Sequence, residues 1–312
     1  MQRARQTPDA VALIDGERTV SCAELDRSSA ALAARLAALG VTTETPVAIC
    51  LPRSVELAVS ILAVLRAGGA FLLLDPQAPA ERQSFMLQDS AALVLIANDA
   101  PSWLPSEAPP ALVIAGQPLP DAPAPRIDGD PQQLAYICYT SGSSGPPKAV
   151  MGLHRGAVNR VRWMAERYPF EPSDVCCLKT TPTFVDFVWE FFGPLLAGVP
   201  SVIVPPADVL DPAAFARTLE RHRVTRVVLV PSLLRSLLNH VGGIDRELRA
   251  LRRCTTSGEA LPVALARRCL ALLPDCRLLN LYGSSETSAD ASFHDVTAAD
   301  AHPVPIGRPT PG

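Results

Sequence analysis

Short apolar runs alternate with amphipathic segments along almost the whole chain. The apolar runs predict buried strands, and apolar side chains repeating at i, i+4 spacing predict helices that bury one face. Ser21 and Glu24 have the spacing of a capping box. They predict the start of a helix that carries Leu25 and Leu36 and ends at Gly40.

Eight strands and five further helices follow from the same patterns. The strands are predicted at residues 47–51, 71–74, 93–97, 111–114, 134–139, 201–204, 226–230 and 278–282, and the helices at 54–67, 187–196, 212–223, 232–240 and 262–273. Continuous apolar strands separated by helices are typical of parallel sheets covered on both faces. The predicted fold class is therefore α/β, with stacked, mostly parallel sheets flanked by helices. We place approximate subdomains at 1–130 and 131–312.

The composition of the 312-residue chain excludes several classes of protein. With 48% hydrophobic and 19% charged residues it can bury a large core, which rules out global disorder. The net charge is −3 and aromatic residues make up 5%, so neither a basic surface for a phosphate backbone nor stacking platforms for bases are expected. We predict no nucleic-acid partner.

The eight cysteines contain no C-x-x-C pair and mostly stand in apolar runs. Buried thiols in a reducing compartment are the simplest interpretation. The amino-terminal residues lack the apolar stretch of a signal peptide, and no run is long enough to span a bilayer. We expect a soluble, cytoplasmic protein without a membrane partner.

A loop rich in glycine and hydroxyl groups follows the strand at residues 134–139. Glycines let backbone N–H groups turn toward an anion, hydroxyl groups add donors, and a lysine adds positive charge. The motif differs from a P-loop because Pro147 precedes the lysine and Ala149 follows it. A polyphosphate site and a polar hairpin turn are both open interpretations, and we favour the first. The residues concerned are Thr140, Ser141, Gly142, Ser143, Ser144, Gly145 and Lys148.

This loop resembles the phosphate loop of the adenylate-forming superfamily, which includes acyl-CoA synthetases, luciferases and the adenylation domains of nonribosomal peptide synthetases. It departs from the usual form at Ser144, in place of Thr, and at Ala149, in place of Gly. Other blocks of the family occur in the same order, at residues 65–71 with 74–76, 257–261, 280–286 and 305–309. The resemblance covers nearly the whole chain.

The resemblance implies binding of ATP and Mg²⁺. The loop residues, including Lys148, would hold the β- and γ-phosphates, and Tyr282 would stack on adenine beside Gly258, Glu259 and Asn280. Ser285 would contact the α-phosphate or the substrate carboxylate, and Glu286 would bind the metal. We therefore name Lys148, Ser285 and Glu286 as candidate catalytic residues. From the residues themselves, Glu286 also fits a first-turn helix acid and Tyr282 a core residue at a strand end.

The segment from Phe184 to Glu190 resembles a substrate-binding block of the family, in which an Asp after Phe holds an α-amino group. Here Val185 takes that position and the carboxylate stands at Asp186. Asp186 can be interpreted as a helix cap or as the partner of a substrate ammonium. The aligned pocket positions resemble those of adenylation domains that select β-alanine; they are Phe184, Val185, Asp186, Trp189, Val228, Cys254, Thr256, Leu281, Ala289 and Asp290.

The family's ribose-binding acid, hinge and lid lysine would lie beyond Gly312, so we interpret the chain as the N-terminal core of an adenylation domain without the lid domain. The predicted function is ATP-dependent activation of an amino acid, β-alanine by resemblance, for transfer to the thiol of a phosphopantetheinyl carrier protein. Poor activity is expected of the 312-residue chain by itself. Two alternatives stay open, an acyl- or aryl-CoA ligase with CoA as acceptor and a non-catalytic nucleotide-binding module.

Overall fold

The computed structural model describes residues 2–104, 110–140, 146–240, 244–301 and 303–311, without the side chains of residues 244 and 245. The chain divides into two compact units. Unit 1 comprises residues 1–12, 18–158 and 181–185, and unit 2 comprises residues 13–17, 159–180 and 186–312.

The described helices are α1 (Gln2–Gln6), α2 (Cys22–Ala38), α3 (Val55–Arg66), α4 (Ala80–Asp89), α5 (His154–Arg167), α6 (Asp186–Ala197), α7 (Pro206–Leu210), α8 (Pro212–Arg221), α9 (Pro231–Asn239), α10 (Ile244–Glu247) and α11 (Val263–Leu272). The described strands are β1 (Val11–Asp15), β2 (Arg18–Ser21), β3 (Pro46–Cys50), β4 (Ala70–Leu74), β5 (Val94–Ala97), β6 (Ala111–Ile114), β7 (Leu134–Thr140), β8 (Lys148–Leu153), β9 (Cys176–Leu178), β10 (Ser201–Ile203), β11 (Arg226–Leu229), β12 (Arg253–Thr256), β13 (Arg277–Tyr282), β14 (Ser292–Asp295) and β15 (Arg308–Pro309).

Unit 1 is built on a sheet with the strand order β6-β5-β3-β4-β7-β8. Its strands are parallel except for the β7–β8 pair, which is antiparallel. The central strands β3, β4 and β5 are almost completely buried, as their continuous apolar sequences predict.

Two helices of unit 1 begin at serine caps. The Ser21 hydroxyl accepts a hydrogen bond from the Glu24 amide, and the Ser54 hydroxyl accepts one from the Leu57 amide, each at 3.1 Å. These bonds satisfy amides that have no partner within the helix. The Arg66 guanidinium of α3 donates to the Asp26 carboxylate of α2 at 3.0 Å, which joins the two helices side by side.

Unit 2 contains a second sheet, in which the strands that belong to this unit follow the order β15-β14-β13-β12-β11-β9-β10-β1. The strands from β1 to β13 in that order are parallel, and β14 and β15 are antiparallel additions at the edge. The carboxyl ends of β11, β12 and β13 therefore meet along one edge of the sheet.

Arginines at the amino ends of β11 and β12 hold the end of helix α5 against this sheet. Arg226 donates to the Tyr168 carbonyl at 2.8 Å and to the Asp174 carboxylate at 2.7 Å. Arg253 donates to the same Tyr168 carbonyl at 3.1 Å. Because the Tyr168 carbonyl lies just after the last turn of α5, these bonds also satisfy the end of the helix. Burial and the two neighbouring arginines, Arg226 and Arg277, lower the pKa of Arg253 to about 10.

The α/β fold class is confirmed, and the predicted boundary between subdomains is corrected. The sequence places it near residue 130, whereas the chain first leaves unit 1 for the larger part of unit 2 after residue 158. The reason is that β7 and β8 complete the sheet of unit 1. All eight cysteines are buried free thiols, as predicted. Among the described helices, none combines the length and apolar character that crossing a membrane requires.

We predict that Ser54→Ala loosens the first turn of α3, because the Leu57 amide loses its acceptor. The expected loss of stability is about 1 kcal/mol. Hydrogen–deuterium exchange of the peptide that contains this turn measures it directly. Ser102 is exposed in a turn and serves as the control in Ser102→Ala. Equal exchange of the α3 peptide in both variants would contradict the assigned cap.

Candidate active site

The predicted phosphate loop joins the two strands of a hairpin in unit 1. Strands β7 and β8 pair antiparallel, with Thr140 opposite Lys148. The Thr140 hydroxyl donates to the Lys148 carbonyl at 3.5 Å, and the Lys148 side chain is exposed. Thr140 and Lys148 thus flank the loop, at the end of β7 and the start of β8. Residues Ser141, Gly142, Ser143, Ser144 and Gly145 lie outside the described residues.

The predicted adenine residues lie at the carboxyl ends of β12 and β13 in unit 2. Gly258 follows β12 with a φ of 83°, a left-handed conformation that a side chain would strain. The Glu259 carboxylate accepts from the Ser232 amide at 2.9 Å and the Ser232 hydroxyl at 2.7 Å. Glu259 therefore also caps the first turn of α9, a role that the sequence does not reveal.

Asn280 and Tyr282 stand at the end of β13 with different surroundings. The buried Asn280 amide donates to the Pro305 carbonyl at 3.0 Å, which ties the strand to the segment 305–309. The Tyr282 ring is 56% exposed. It is not the core residue that its strand-end position would also allow, and its face is accessible for stacking on a planar ligand.

A tight turn after β13 holds Ser285 and Glu286. Ser284 and Thr287 form a reciprocal capping box around the 3-10 turn Ser285–Thr287. Gly283 is required there, since a Cβ atom on it would meet the Ala289 carbonyl oxygen at 1.7 Å. The Glu286 carboxylate is exposed, and hydrogen bonds from its own backbone amide and the Ser284 hydroxyl lower its pKa. It stays ionised, as a ligand of a divalent cation must.

Apolar pocket residues gather on one face of the unit 2 sheet. Val228 and Leu281 belong to the cluster that contains Trp189, between the sheet and helices α5 and α6. Trp189, Val228 and Thr255 line a cavity of about 30 Å³. That volume holds roughly one water molecule, so the cavity does not extend the pocket for a longer ligand.

Cys254 and Thr256 lie on the other face of this sheet, which corrects their predicted place in the pocket. Cys254 pairs with Val227 in register, and Thr255 pairs with Val228. Because side chains alternate along a strand, Cys254 and Thr256 point away from the face that carries Val228. Cys254 packs in the core cluster that includes residues of α8, α9 and α11. The Thr256 hydroxyl donates to the Leu279 carbonyl at 2.9 Å.

Thr255 and Ser257 occupy the pocket face in their place. Thr255 lines the small cavity with Trp189 and Val228. Ser257 is two residues further on and continues the ladder, since its amide donates to the Leu229 carbonyl at 3.3 Å. The alternation of β12 relative to β11 could have identified both residues, but only once the register of the strands was known.

Asp186 is the first residue of α6 and belongs to unit 2, whereas Phe184 and Val185 belong to unit 1. Phe184 is 64% exposed and Val185 is half-buried. No described residue donates a hydrogen bond to the Asp186 carboxylate, so the structure does not support its interpretation as a helix cap. Burial and the charge of Asp290 raise the pKa of Asp186 to about 6, while Arg160 and Lys179 oppose this increase.

Asp290 has a partner that the sequence analysis missed. Arg160 of α5 donates through Nε to the Asp290 carboxylate, and both side chains are buried, at 5% and 0% exposure. The Arg160 guanidinium lies 5.1 Å from the Trp163 ring centre and 5.0 Å from that of Trp189. No local pattern signals a pair that is 130 residues apart in sequence. Ala289, just before this acid, is buried with a φ of 87°.

Glu190 attaches α6 to the end of β9. Its carboxylate accepts from the amides of Lys179 at 3.1 Å and Thr180 at 2.7 Å. The Lys179 ammonium lies 3.8 Å from the other carboxylate oxygen, and both side chains are buried. These contacts fix the start of α6, and with it Asp186 and Trp189.

The fold is an α/β fold, and in open sheets of this class ligands bind at the carboxyl ends of the parallel strands. The chain belongs to the AMP-binding enzyme family, whose model matches residues 1–312.

Its relatives include a tripeptide synthetase and a polyketide synthase. The chain is 38% identical over 314 residues to phosphinothricin tripeptide synthetase PhsB of Streptomyces viridochromogenes, covering 98% of this chain and 26% of that protein. It is 34% identical over 321 residues to polyketide synthase PksN of Bacillus subtilis, covering 99% of this chain and 6% of that protein. The chain thus spans only a small part of each relative.

Two solved structures are similar in fold. The nonribosomal peptide synthetase FmoA3 in its AMPPNP-bound form superimposes with a TM-score of 0.90 at 29% identity, covering 99% of this chain and 33% of that chain. The NpsA N-terminal subdomain of Klebsiella oxytoca, in complex with 3-hydroxybenzoyl-AMSN, gives 0.84 at 26% identity and covers 99% and 79%.

We predict that Thr256→Val lowers the free energy of unfolding by about 1–2 kcal/mol, because the buried Leu279 carbonyl loses its donor. The matched control is Thr255→Val on the opposite face, where no described residue bonds the hydroxyl, so the expected loss is smaller. Urea unfolding measures both. A larger loss for Thr255→Val than for Thr256→Val would contradict the assignment of faces.

Proposed function

We propose that the protein activates an amino acid carboxylate with ATP, and that this amino acid is β-alanine. The acyl group of the resulting adenylate passes to the phosphopantetheine thiol of a carrier protein. One observation carries the choice of substrate: the half-buried Asp186 carboxylate has no described partner, while Arg160 pairs with the other acid nearby, Asp290. An acid in this state, which a bound ligand would bury further, matches a ligand with one positive charge.

The described site residues fit a nucleotide with Mg²⁺. The exposed Tyr282 ring can stack on adenine beside Gly258. The exposed Lys148 supplies positive charge for the β- and γ-phosphates, and the ionised Glu286 is suited to hold Mg²⁺ together with those phosphates. Mg²⁺ would neutralise phosphate charge.

The proposed reaction joins two anions and needs alignment more than covalent catalysis. A carboxylate oxygen of the amino acid attacks the α-phosphorus, the bond from that phosphorus to the bridging oxygen breaks, and pyrophosphate leaves with the electron pair. Lys148 lowers the repulsion between the reactants. The thiolate of the carrier then attacks the acyl carbon, a thioester forms, and AMP leaves.

The position of the acid supports a β-amino acid. One extra methylene moves the ammonium away from the carboxylate by about one C–C bond, ~1.5 Å. Compared with the family's usual acid, Asp186 is displaced by one residue, and Val185 offers no charge at the former position. Trp189 lines a cavity of only about 30 Å³, which leaves no room for a longer ligand beside the indole. A short chain with a terminal ammonium satisfies these constraints.

A second candidate is a ligase for aryl or acyl acids, including one that uses CoA as acceptor. The similarity to NpsA favours it, because the 3-hydroxybenzoyl group in that complex carries no ammonium. Such a substrate would leave Asp186 buried beside an apolar group, at a cost in free energy. We therefore prefer the amino acid as the substrate.

A cytoplasmic location is also part of the proposal, because all eight cysteines are free thiols and thiols stay reduced in that compartment.

We predict that Lys148→Ala and Glu286→Ala each weaken MgATP binding by about tenfold or more, because each removes a charge opposite phosphate. Calorimetric titration of the full-length protein measures the dissociation constants. Arg235 is an exposed arginine of α9, so Arg235→Gln is the matched control for loss of charge. Unchanged affinity in both site variants would remove these residues from the phosphate site.

We predict that Asp186→Asn abolishes β-alanine-dependent ATP–pyrophosphate exchange, while exchange with 3-hydroxypropionate, which has no ammonium, changes little. In the wild type, kcat/KM for β-alanine should fall as the pH drops below about 6, because protonated Asp186 no longer pairs with an ammonium. A wild type that prefers alanine to β-alanine would exclude the proposed substrate.

A further inference from the structure

We infer that Arg160 is a positioning residue for substrate selection, because its pairing with Asp290 leaves Asp186 as the acid that binds the substrate ammonium. This inference rests on the proposed function and extends it. It assigns different roles to two acids that the sequence places together in the pocket, one facing the substrate and one facing the protein.

The Arg160 side chain is held in place by an acid and two aromatic rings of unit 2. It is 5% exposed, donates to the Asp290 carboxylate and lies between the rings of Trp163 and Trp189. Both aromatic contacts limit the directions in which the guanidinium can turn. Its two terminal nitrogens have no hydrogen-bond partner among the described residues. Arg160 is therefore a fixed cation whose described acidic partner is Asp290.

Trp189 connects this pair to Asp186. Residues three apart on a helix share a face, so Asp186 and Trp189 face the same side of α6. The charged groups that act on Asp186 are Asp290, Arg160, Lys179 and Glu190. Lys179 and Glu190 form their own ion pair at 3.8 Å and nearly cancel each other.

The remaining charges leave one surplus negative charge. Asp186 and Asp290 together carry two negative charges, and Arg160 compensates one of them. A substrate with a single ammonium then makes the buried group neutral, which is the state that low-dielectric surroundings favour. Without Arg160, the same pocket would hold two uncompensated acids. One of them would take up a proton instead of binding the substrate.

The rival interpretation is that Asp290 binds the ammonium directly, opposite Asp186. The two interpretations differ in what happens when the Arg160–Asp290 pair is neutralised as a unit. If Asp290 serves to hold Arg160, replacing both by amides of similar shape removes one positive and one negative charge and leaves Asp186 as before. If Asp290 binds substrate, the double replacement loses that contact.

The test is a double-mutant cycle on the full-length protein, with Asp290→Asn, Arg160→Gln and the two combined. ATP–pyrophosphate exchange gives KM for β-alanine, and 3-hydroxypropionate exchange reports the rest of the site in each variant. Asp290→Asn should raise KM for β-alanine by about tenfold or more, because the fixed charge of Arg160 then compensates Asp186 and the substrate ammonium adds an excess positive charge. The double variant should return to within about threefold of wild type.

The pH profile separates a positioning role from a structural one. In Arg160→Gln the acidic limb of kcat/KM should move above pH 6, because Asp290 then raises the pKa of Asp186 without opposition from Arg160. The double variant should show the limb near its wild-type position. Should Asp290→Asn fail to fold, the KM of the double variant is compared with that of the wild type, and a rise of about tenfold or more would contradict the inference.

A double variant that is as impaired in KM as Asp290→Asn, or an unmoved limb in a folded Arg160→Gln protein, would overturn the inference. If the wild type activates a different amino acid, the β-alanine proposal fails and the cycle is measured with that amino acid. If it activates only acids without an ammonium, both proposals fail.

Discussion

A charge buried in a protein needs a partner, and this requirement places the elements around the pocket of unit 2. Arg160 of α5 holds Asp290 in the loop before β14, and Glu190 of α6 holds the backbone after β9. Removing one member of such a pair typically costs several kcal/mol, because the other charge stays buried alone. These contacts fix two helices and a loop around the carboxyl ends of the strands.

The same requirement links structure to function. Asp186 stands among these paired charges without a described partner, and burial raises its pKa to about 6. Near neutral pH it is ionised and needs a cation. A substrate ammonium supplies one. The ion pair then offsets the desolvation cost of the Asp186 carboxylate, and this contributes to the free energy of substrate binding. Helix α6 carries both Asp186 and Trp189, so in this proposal one helix provides the charge that binds the ammonium and the ring that limits the length of the substrate.

Local patterns predicted many of the elements, although not α4, α5, β8, β9 or β12, and features that depend on distant residues were missed. The capping serine of α2 and the apolar runs of β3, β4 and β13 can be identified from sequence neighbours. The face of Cys254 and Thr256 depends on the register of β12 with β11, and a shift of one residue reverses it. The pairing of Arg160 with Asp290 depends on the tertiary fold alone. For the same reason, the sequence could name Asp290 as a pocket residue without showing that it is already paired.

The central claim is that Asp186 binds an ammonium one methylene further from the carboxylate than in an α-amino acid. Calorimetric titration of the full-length protein with two non-hydrolysable adenylate analogues, carrying a β-alanyl or an α-alanyl group, tests it most directly. The account predicts tighter binding of the β-alanyl analogue, by about tenfold or more, and loss of that preference in Asp186→Asn. Equal binding of the two analogues by the wild type, or a preference that survives in Asp186→Asn, would contradict it.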